Sequence, residues 1–241
     1  MPALPRVTLA RLRRVSTATL STQLFRHGLR NAYMQGVRLL GSRLDMNLVG
    51  PAFTLRCIPA REDVDTLAAL ADPDHPQRRA IEATPEGHVL VIDCRGDARA
   101  ASAGQMLITR LMKRGVAGFV SDGAVRDGAP IGDLGFPVFC AGTSAPLGLA
   151  LHHAEESNVA IGCGGVAVYP GDVVVGDRDG VVVIPRMLAD EIAHDAAAEE
   201  EMEEFLLTRI AAGAALAGTY PPDAATLAEF AVWRAGRHGE R

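Results

Sequence analysis

The chain has 241 residues, 48% of them hydrophobic and 22% charged, enough apolar material to fill the core of one large or two small globular domains. Aromatic residues make up only 5% and the net charge is -5, which removes both the stacking platform of a single-strand binder and the basic surface of a polyanion binder. No direct nucleic-acid role is expected, and no apolar run reaches the roughly 18 residues that would cross a membrane.

The first 30 residues read as a helical pair: TLARLRRV is amphipathic, and Ser16 or Thr17 caps a second helix that stops near Gly28. Residues 37–40 and 51–59 read as strands, with Pro51 and Pro59 as boundaries. EDVDTLAALAD is a short helix, and DPDHPQRRAIEATPEG is a proline-containing connection into HVLVIDC (88–94), a continuous apolar run of the kind a central strand shows. The clearest helix covers 102–114, followed by a strand at 116–122 and the loop GAVRDGAP, together a βαβ unit. FPVFCAG (136–142) is another short strand, and 162–185, with turns at Pro170-Gly171 and Asp179-Gly180, reads as an antiparallel meander. A long acidic surface helix runs from Arg186 to about Gly213, and a last one, PDAATLAEFAVWRAG, docks through Phe230 and Trp233. Nothing divides the chain, so one mixed α/β domain with helical ends is expected over 1–241, its core about 15–213 and its C-terminal extension 214–241.

Several chemistries drop out. Lys113 is the only lysine, and in LMKRG it reads as a cation near a helix C-terminus rather than an imine-forming nucleophile. Cys57, Cys94, Cys140 and Cys163 stand far apart without zinc-ligand spacing and read as buried thiols of a reducing compartment. Arg6, Arg11, Arg13 and Arg14 interrupt any signal-peptide core, so a cytoplasmic protein is expected. His152-His153 lack the i, i+4 spacing of a helical metal pair and read as a partly buried connector. Asp172, Asp177 and Asp179 read as turn formers, and Gly164 and Gly165 as points of close backbone approach.

The βαβ unit places a site by arithmetic. A helix over 104–114 rises about 16 Å, and the next strand runs back about 18 Å. The loop holding Arg126 and Asp127 therefore returns beside the helix N-terminus, where the free N–H groups of Gly104, Gln105, Met106 and Leu107 suit a carboxylate. Arg126 suits a substrate carboxylate or an enolate oxygen, and Asp127 a hard cation such as Mg2+. A turn with a local salt bridge is the plainer reading of the same pair.

GQMLITRLMKRGVAGFVSDGAVRD and IGCGGVAVYPGDVVVGDRDGVVVIP together resemble the RraA-like superfamily. That superfamily includes the regulator of ribonuclease activity A and the metal-dependent 4-hydroxy-4-methyl-2-oxoglutarate / 4-carboxy-4-hydroxy-2-oxoadipate aldolases. The similarity runs over about 15–213. It implies a swivelling β/β/α fold with a mixed central sheet, assembled as a homotrimer or homohexamer. In the aldolases it implies a site between subunits that holds a divalent cation and pyruvate.

The aldolase signature is an acidic residue, twenty intervening residues, then Arg-Asp. Arg126 and Asp127 match, whereas Gln105 stands at the acidic position, and an amide can orient a group but takes no proton at neutral pH. By resemblance Arg126 binds substrate and acts catalytically with Gln105, Asp127 coordinates Mg2+ or Mn2+, and the amides of Gly104, Gln105, Met106 and Leu107 bind the pyruvyl carboxylate. Asp93, Asp97 and Asp122 are alternative sources of the missing base. A glutamate from a neighbouring subunit's C-terminal helix is also implied, with Glu203 or Glu204 nearest, although the run at 199–204 reads equally as a solvated face.

The resulting expectation is a divalent-metal-dependent lyase that releases pyruvate from a short 2-oxo acid, by retro-aldol cleavage or by oxaloacetate decarboxylation. A non-catalytic regulator that binds a ribonuclease or RNA helicase is the alternative, although the regulator typically lacks the Asp that this chain keeps at 127. Other 2-oxo or hydroxy acid chemistry on the same scaffold is a third reading, with Gln105 as its adaptation.

Overall fold

A computed structural model describes residues 4–41 and 46–239. The chain opens with α1 (Arg6–Leu12) and α2 (Thr17–Arg26); Ser16 caps α2 by accepting the Thr19 N–H at 3.0 Å, as its position predicts. β1 (Arg38–Leu39), the long β2 (Leu48–Pro59), α3 (Leu67–Ala71), α4 (Pro76–Ala83) and β3 (Val89–Asp93) follow. Next come β4 (Ala101–Ala103), α5 (Gln105–Lys113), β5 (Gly118–Ser121), β6 (Ala124–Val125), α6 (Gly128–Gly132), β7 (Val138–Cys140) and β8 (Gly142–Thr143). The remainder is β9 (His152–Ser157), the hairpin β10 (Ile161–Cys163) and β11 (Val166–Val168), then β12 (Val173–Gly176), β13 (Val181–Ile184), α7 (Ala189–Ala211) and α8 (Ala224–Gly239).

The fold is mixed α/β around a curled central sheet, in the order β1-β7-β5-β3-β2-β12-β13. β2, β3, β5 and β7 run parallel, and β12, β13 and β1 add antiparallel margins. β2 carries two partners along one edge, β12 through Leu48–Pro51 and β9 through Leu55–Pro59, and that divergence is where the sheet curls. Alternate residues of each central strand serve different cores. Leu90 and Ile92 meet α4 and α5, while Val89 and Val91 pack under the β10–β11 hairpin with Val120 and Phe139. A strand buried on both faces has no polar alternation to show, which explains the unbroken VLVID and VVVI runs. A third core joins α1, α2 and α7 to Val173, Val175, Val182 and Ile184.

Several elements depart from the sequence expectation. Pro51 lies inside β2 rather than at its edge; it stands opposite Val173, and the ladder resumes at the Ala52 N–H, which bonds the Asp172 carbonyl at 2.7 Å. The proline-containing stretch before β3 contains α4, because Pro76 occupies the first turn, where its missing N–H costs nothing. Residues 102–103, expected in the helix, belong to β4, and the loop 123–130 contains β6 and the start of α6. β4, β6 and β8 form a small parallel sheet of their own. The 162–185 meander is two hairpins in separate sheets, β10–β11 and β12–β13. His152 and His153 lie on β9, and a 3₁₀ turn (Arg186–Leu188) precedes α7.

The acidic run of α7 is not simply a solvated face. Glu199 takes Gln23 and Arg26, Glu200 takes the Ser16 N–H and the Thr19 hydroxyl, and Glu204 pairs with Arg237. α8 docks as expected, with Phe230 and Trp233 at 5.6 and 5.5 Å from the Phe205 ring. All four cysteines are free and buried. Among the described residues no helix is long and apolar enough to cross a membrane.

The loops at the carboxyl ends of β3 and β5 are tied by Asp122. Its carboxylate is buried and accepts the N–H groups of Cys94 (2.6 Å), Gly96 (2.9 Å) and Gly164 (3.1 Å). Asp122→Ala strands three donors, so a loss of about 3 kcal/mol or more is expected, read by calorimetry as a thermal midpoint about 6 to 12 °C lower.

Candidate active site

The site is assembled by two parallel pairings on either side of α5. β3 and β5 align Leu90 with Phe119, and β4 and β6 align Ala103 with Val125, so the chain leaving β6 arrives at the first turn of α5. There the Arg126 N–H donates to the Ala103 carbonyl at 2.8 Å, and the Asp127 carboxylate accepts the Gln105 N–H at 3.1 Å. The return predicted from element lengths is thus observed, and one of the four amides assigned to substrate is engaged by Asp127 instead. Met106 and Leu107 lie before the first intrahelical bond, from Ile108 N–H to the Gly104 carbonyl, so their N–H groups have no helical partner.

Two backbone features hold this corner. Asp127 is left-handed, at φ 58 and ψ 40, a conformation that costs a non-glycine residue about 1–2 kcal/mol and that aspartate tolerates better than most. Gly104 leaves room for it: a Cβ there would stand 3.1 Å from Asp127 Oδ2. Arg126 is half-buried and Asp127 exposed. Among the described residues the Arg126 guanidinium makes no hydrogen bond or ion pair, so it is not the salt bridge of an ordinary turn.

This corner opens onto a cavity of about 260 Å³. Gly104, Gln105, Met106, Leu107, Arg126 and Asp127 all line it, so the structure brings together the six residues nominated from the α5 corner. The rest of the lining mixes aliphatic side chains, Leu55, Leu70 and Leu149 among them, with polar ones. Asp127 is its only carboxylate among the described residues. Asp93 accepts the Arg95 N–H, Asp97 pairs with Arg99, and Asp122 is committed to three amides; none of them lines the cavity, nor does Lys113, Glu203 or Glu204. His27, Glu191 and Asp195 bring ligand atoms within 4.8 Å of one another, but just after α2 and on α7, outside the cavity lining.

The α4 residues His75, Gln77 and Arg78, and His152 of β9, are cavity residues that the sequence reading missed. His-Pro before a charged, amphipathic stretch was the available signal for α4, since His75 caps it by accepting the Gln77 N–H at Nδ1. Gln77 ties α4 to the Ser102 carbonyl at 2.6 Å. His152 is buried, with Nε2 3.3 Å from the Ala100 carbonyl. That oxygen has only lone pairs, so Nε2 carries the proton, and Nδ1 is a buried acceptor without a partner among the described residues. Burial pushes both imidazoles below their ordinary value, with Arg78 adding to the effect at His75 and Arg95 at His152.

The family model for RraA-like proteins, described as Aldolase/RraA, matches residues 17–183. The chain belongs to the RraA-like family. The protein named "Putative 4-hydroxy-4-methyl-2-oxoglutarate aldolase" from Halalkalibacterium halodurans is 38% identical over 161 residues, 65% of this chain and 69% of that one. Among solved structures, Streptomyces coelicolor RraAS2, described as an unusual member of the RNase ES inhibitor RraA protein family, is 34% identical, with TM-score 0.73 over 85% of this chain and 98% of that one. An uncharacterized protein from Pseudomonas syringae pv. tomato, 24% identical with TM-score 0.77 over 91% of this chain and all of that one, shows the RraA-like fold without bearing on function.

The depressed imidazoles set a pH dependence. A histidine whose folded pKa lies below its unfolded value of about 6.5 leaves the native state holding fewer protons, so stability falls as pH drops through that window. Urea midpoints taken at about pH 7.5 and about pH 5.5 are expected to fall less for His152→Asn than for the unsubstituted protein.

Proposed function

We propose that this RraA-like protein is a divalent-metal-dependent lyase that releases pyruvate from a short 2-oxo acid. The observation that carries the reading is the Arg126 guanidinium, unpaired among the described residues, beside the Asp127 carboxylate at the amide end of α5 and lining a cavity. The aldolase name of the 38% identical relative supports the same direction.

The donor set fits a hard cation. Asp127 is exposed and its Oδ2 meets a single N–H, that of Gln105, which suits Mg2+ or Mn2+ bound by one protein carboxylate and several waters. Asp127 would hold it, and when bound the cation supplies Lewis acidity toward the 2-oxo group.

The remaining work falls to the chain. The Met106 and Leu107 amides, at the positive end of the α5 dipole, bind the carboxylate next to the oxo group. When the C3–C4 bond breaks, its electron pair forms the C2–C3 double bond while the carbonyl pair moves onto the C2 oxygen, to which Arg126 donates hydrogen bonds as charge accumulates. C4 leaves as carbon dioxide in decarboxylation, or in retro-aldol cleavage as a carbonyl whose hydroxyl proton passes to water, and C3 then takes a proton from water to give pyruvate. The electron sink is provided without an amine, consistent with Lys113 lying outside the cavity. Gln105 orients the substrate or a water but removes no proton, so decarboxylation, which needs no base at a hydroxyl, makes the smaller demand on this site. Met106, 87% exposed beside the cavity, supports a neighbouring subunit completing the site in a homotrimer or homohexamer.

A second reading is a non-catalytic regulator binding a ribonuclease, favoured by Gln105 in the acidic position and by the RNase-inhibitor family of the Streptomyces relative. Pyruvate release from oxaloacetate and from 4-hydroxy-4-methyl-2-oxoglutarate, with Mg2+, with Mn2+ and with EDTA, separates the two. Metal-dependent release is expected, falling by about 100-fold or more in Asp127→Ala with the melting curve retained. Gln105→Asp is expected to raise retro-aldol cleavage more than decarboxylation. Release that survives both EDTA and Asp127→Ala would overturn the assignment.

A further inference from the structure

The cavity carries a second cation that the mechanism leaves unused. Arg78 lines it from α4, a different wall from Arg126, and its Nε donates to the Leu70 carbonyl at 2.7 Å. That bond fixes the guanidinium plane, while the terminal nitrogens make no hydrogen bond or ion pair among the described residues. Among the described residues the cavity lining holds one carboxylate, Asp127, which bonds the Gln105 N–H and makes no ion pair with Arg78.

The neighbouring group is also a donor. His75 accepts the Gln77 N–H at Nδ1, so in its neutral form the proton resides on Nε2. Burial keeps this imidazole in the neutral form near pH 7. A guanidinium fork and an imidazole N–H in a half-buried wall of the cavity that Arg126 also lines suit an anionic ligand, which meets both with charge-assisted hydrogen bonds that water does not match.

We propose that Arg78, assisted by the His75 Nε2–H, binds a second carboxylate at the distal end of the substrate and thereby selects 2-oxo diacids over 2-oxo monoacids. Arg78 is then a specificity-determining residue, remote from the bond that breaks. The inference rests on the 2-oxo acid reading above, and the test separates the two.

The full chain, with Mg2+, is titrated calorimetrically with 2-oxopentanedioate and with 2-oxopentanoate, which share the 2-oxo carboxylate and differ at the far terminus. The diacid is expected to bind at least about tenfold more tightly. Arg78→Met is expected to reduce that ratio to about one while leaving monoacid affinity unchanged, and monoacid binding reports that the variant is folded. Arg78→Lys, which keeps the charge but loses the fork, is expected to retain part of the ratio. Equal loss of both ligands in Arg78→Met would assign Arg78 a structural role and overturn the proposal. So would a preference that survives Arg78→Met, or equal binding of the two acids by the unsubstituted protein, while the 2-oxo acid reading stands. Binding of neither acid by the unsubstituted protein would overturn that reading and the proposal with it.

Discussion

Asp127 stands over the first turn of α5, at a point where residue 104 has no side chain to crowd it. The carboxylate lies where a Cβ would press on it, and its bond to the Gln105 N–H orients it at the positive end of a helix. Everything upstream serves that contact. The β4–β6 pairing delivers the chain to within one residue of it, and the left-handed turn at Asp127 then sends the chain away into α6. A half-buried arginine without an ion pair among the described residues, next to an aspartate in a left-handed backbone conformation, is an arrangement that folding alone does not favour, and residues that break local rules in this way collect at functional sites.

The same economy runs through the acidic groups. Of the three aspartates at or just after the β3 and β5 ends, Asp122 organises loops and Asp93 holds the Arg95 amide, whereas Asp97 simply pairs with Arg99. Asp177 accepts the Thr17 N–H and hydroxyl and so anchors the start of α2, a tertiary role for a residue that looks like a turn former. With these groups committed, the cavity keeps one carboxylate, two arginines and two imidazoles held neutral by burial. Its two arginines suit the binding of anions, and His152 Nδ1 is its one buried unpartnered acceptor among the described residues.

Much of this was legible beforehand. The apolar runs at 88–94 and 181–184, the helix before Gly115 and the Arg126-Asp127 return follow from periodicity and length, because local backbone preferences act over the same few residues that the pattern spans. The missed elements are those whose stability is not local. β4, β6 and β8 have three or two residues each, too short to show a period of two, and they exist only because they pair with one another. α4 was obscured by prolines that turn out to mark its start.

By itself the sequence determined the class of fold, the family and the residues that meet at the α5 corner. Those depend on composition, on the lengths of successive elements and on motifs read in order along the chain. Only the tertiary structure decided what faces that corner. Arg78 and His75 lie about thirty residues before Gln105, His152 nearly fifty after it, and none belongs to a motif. They reach one cavity because β2 pairs with both β3 and β9 and because Gln77 ties α4 to β4. Such contacts join segments distant in the chain, and no local pattern encodes a partner that only the folded sheet brings near.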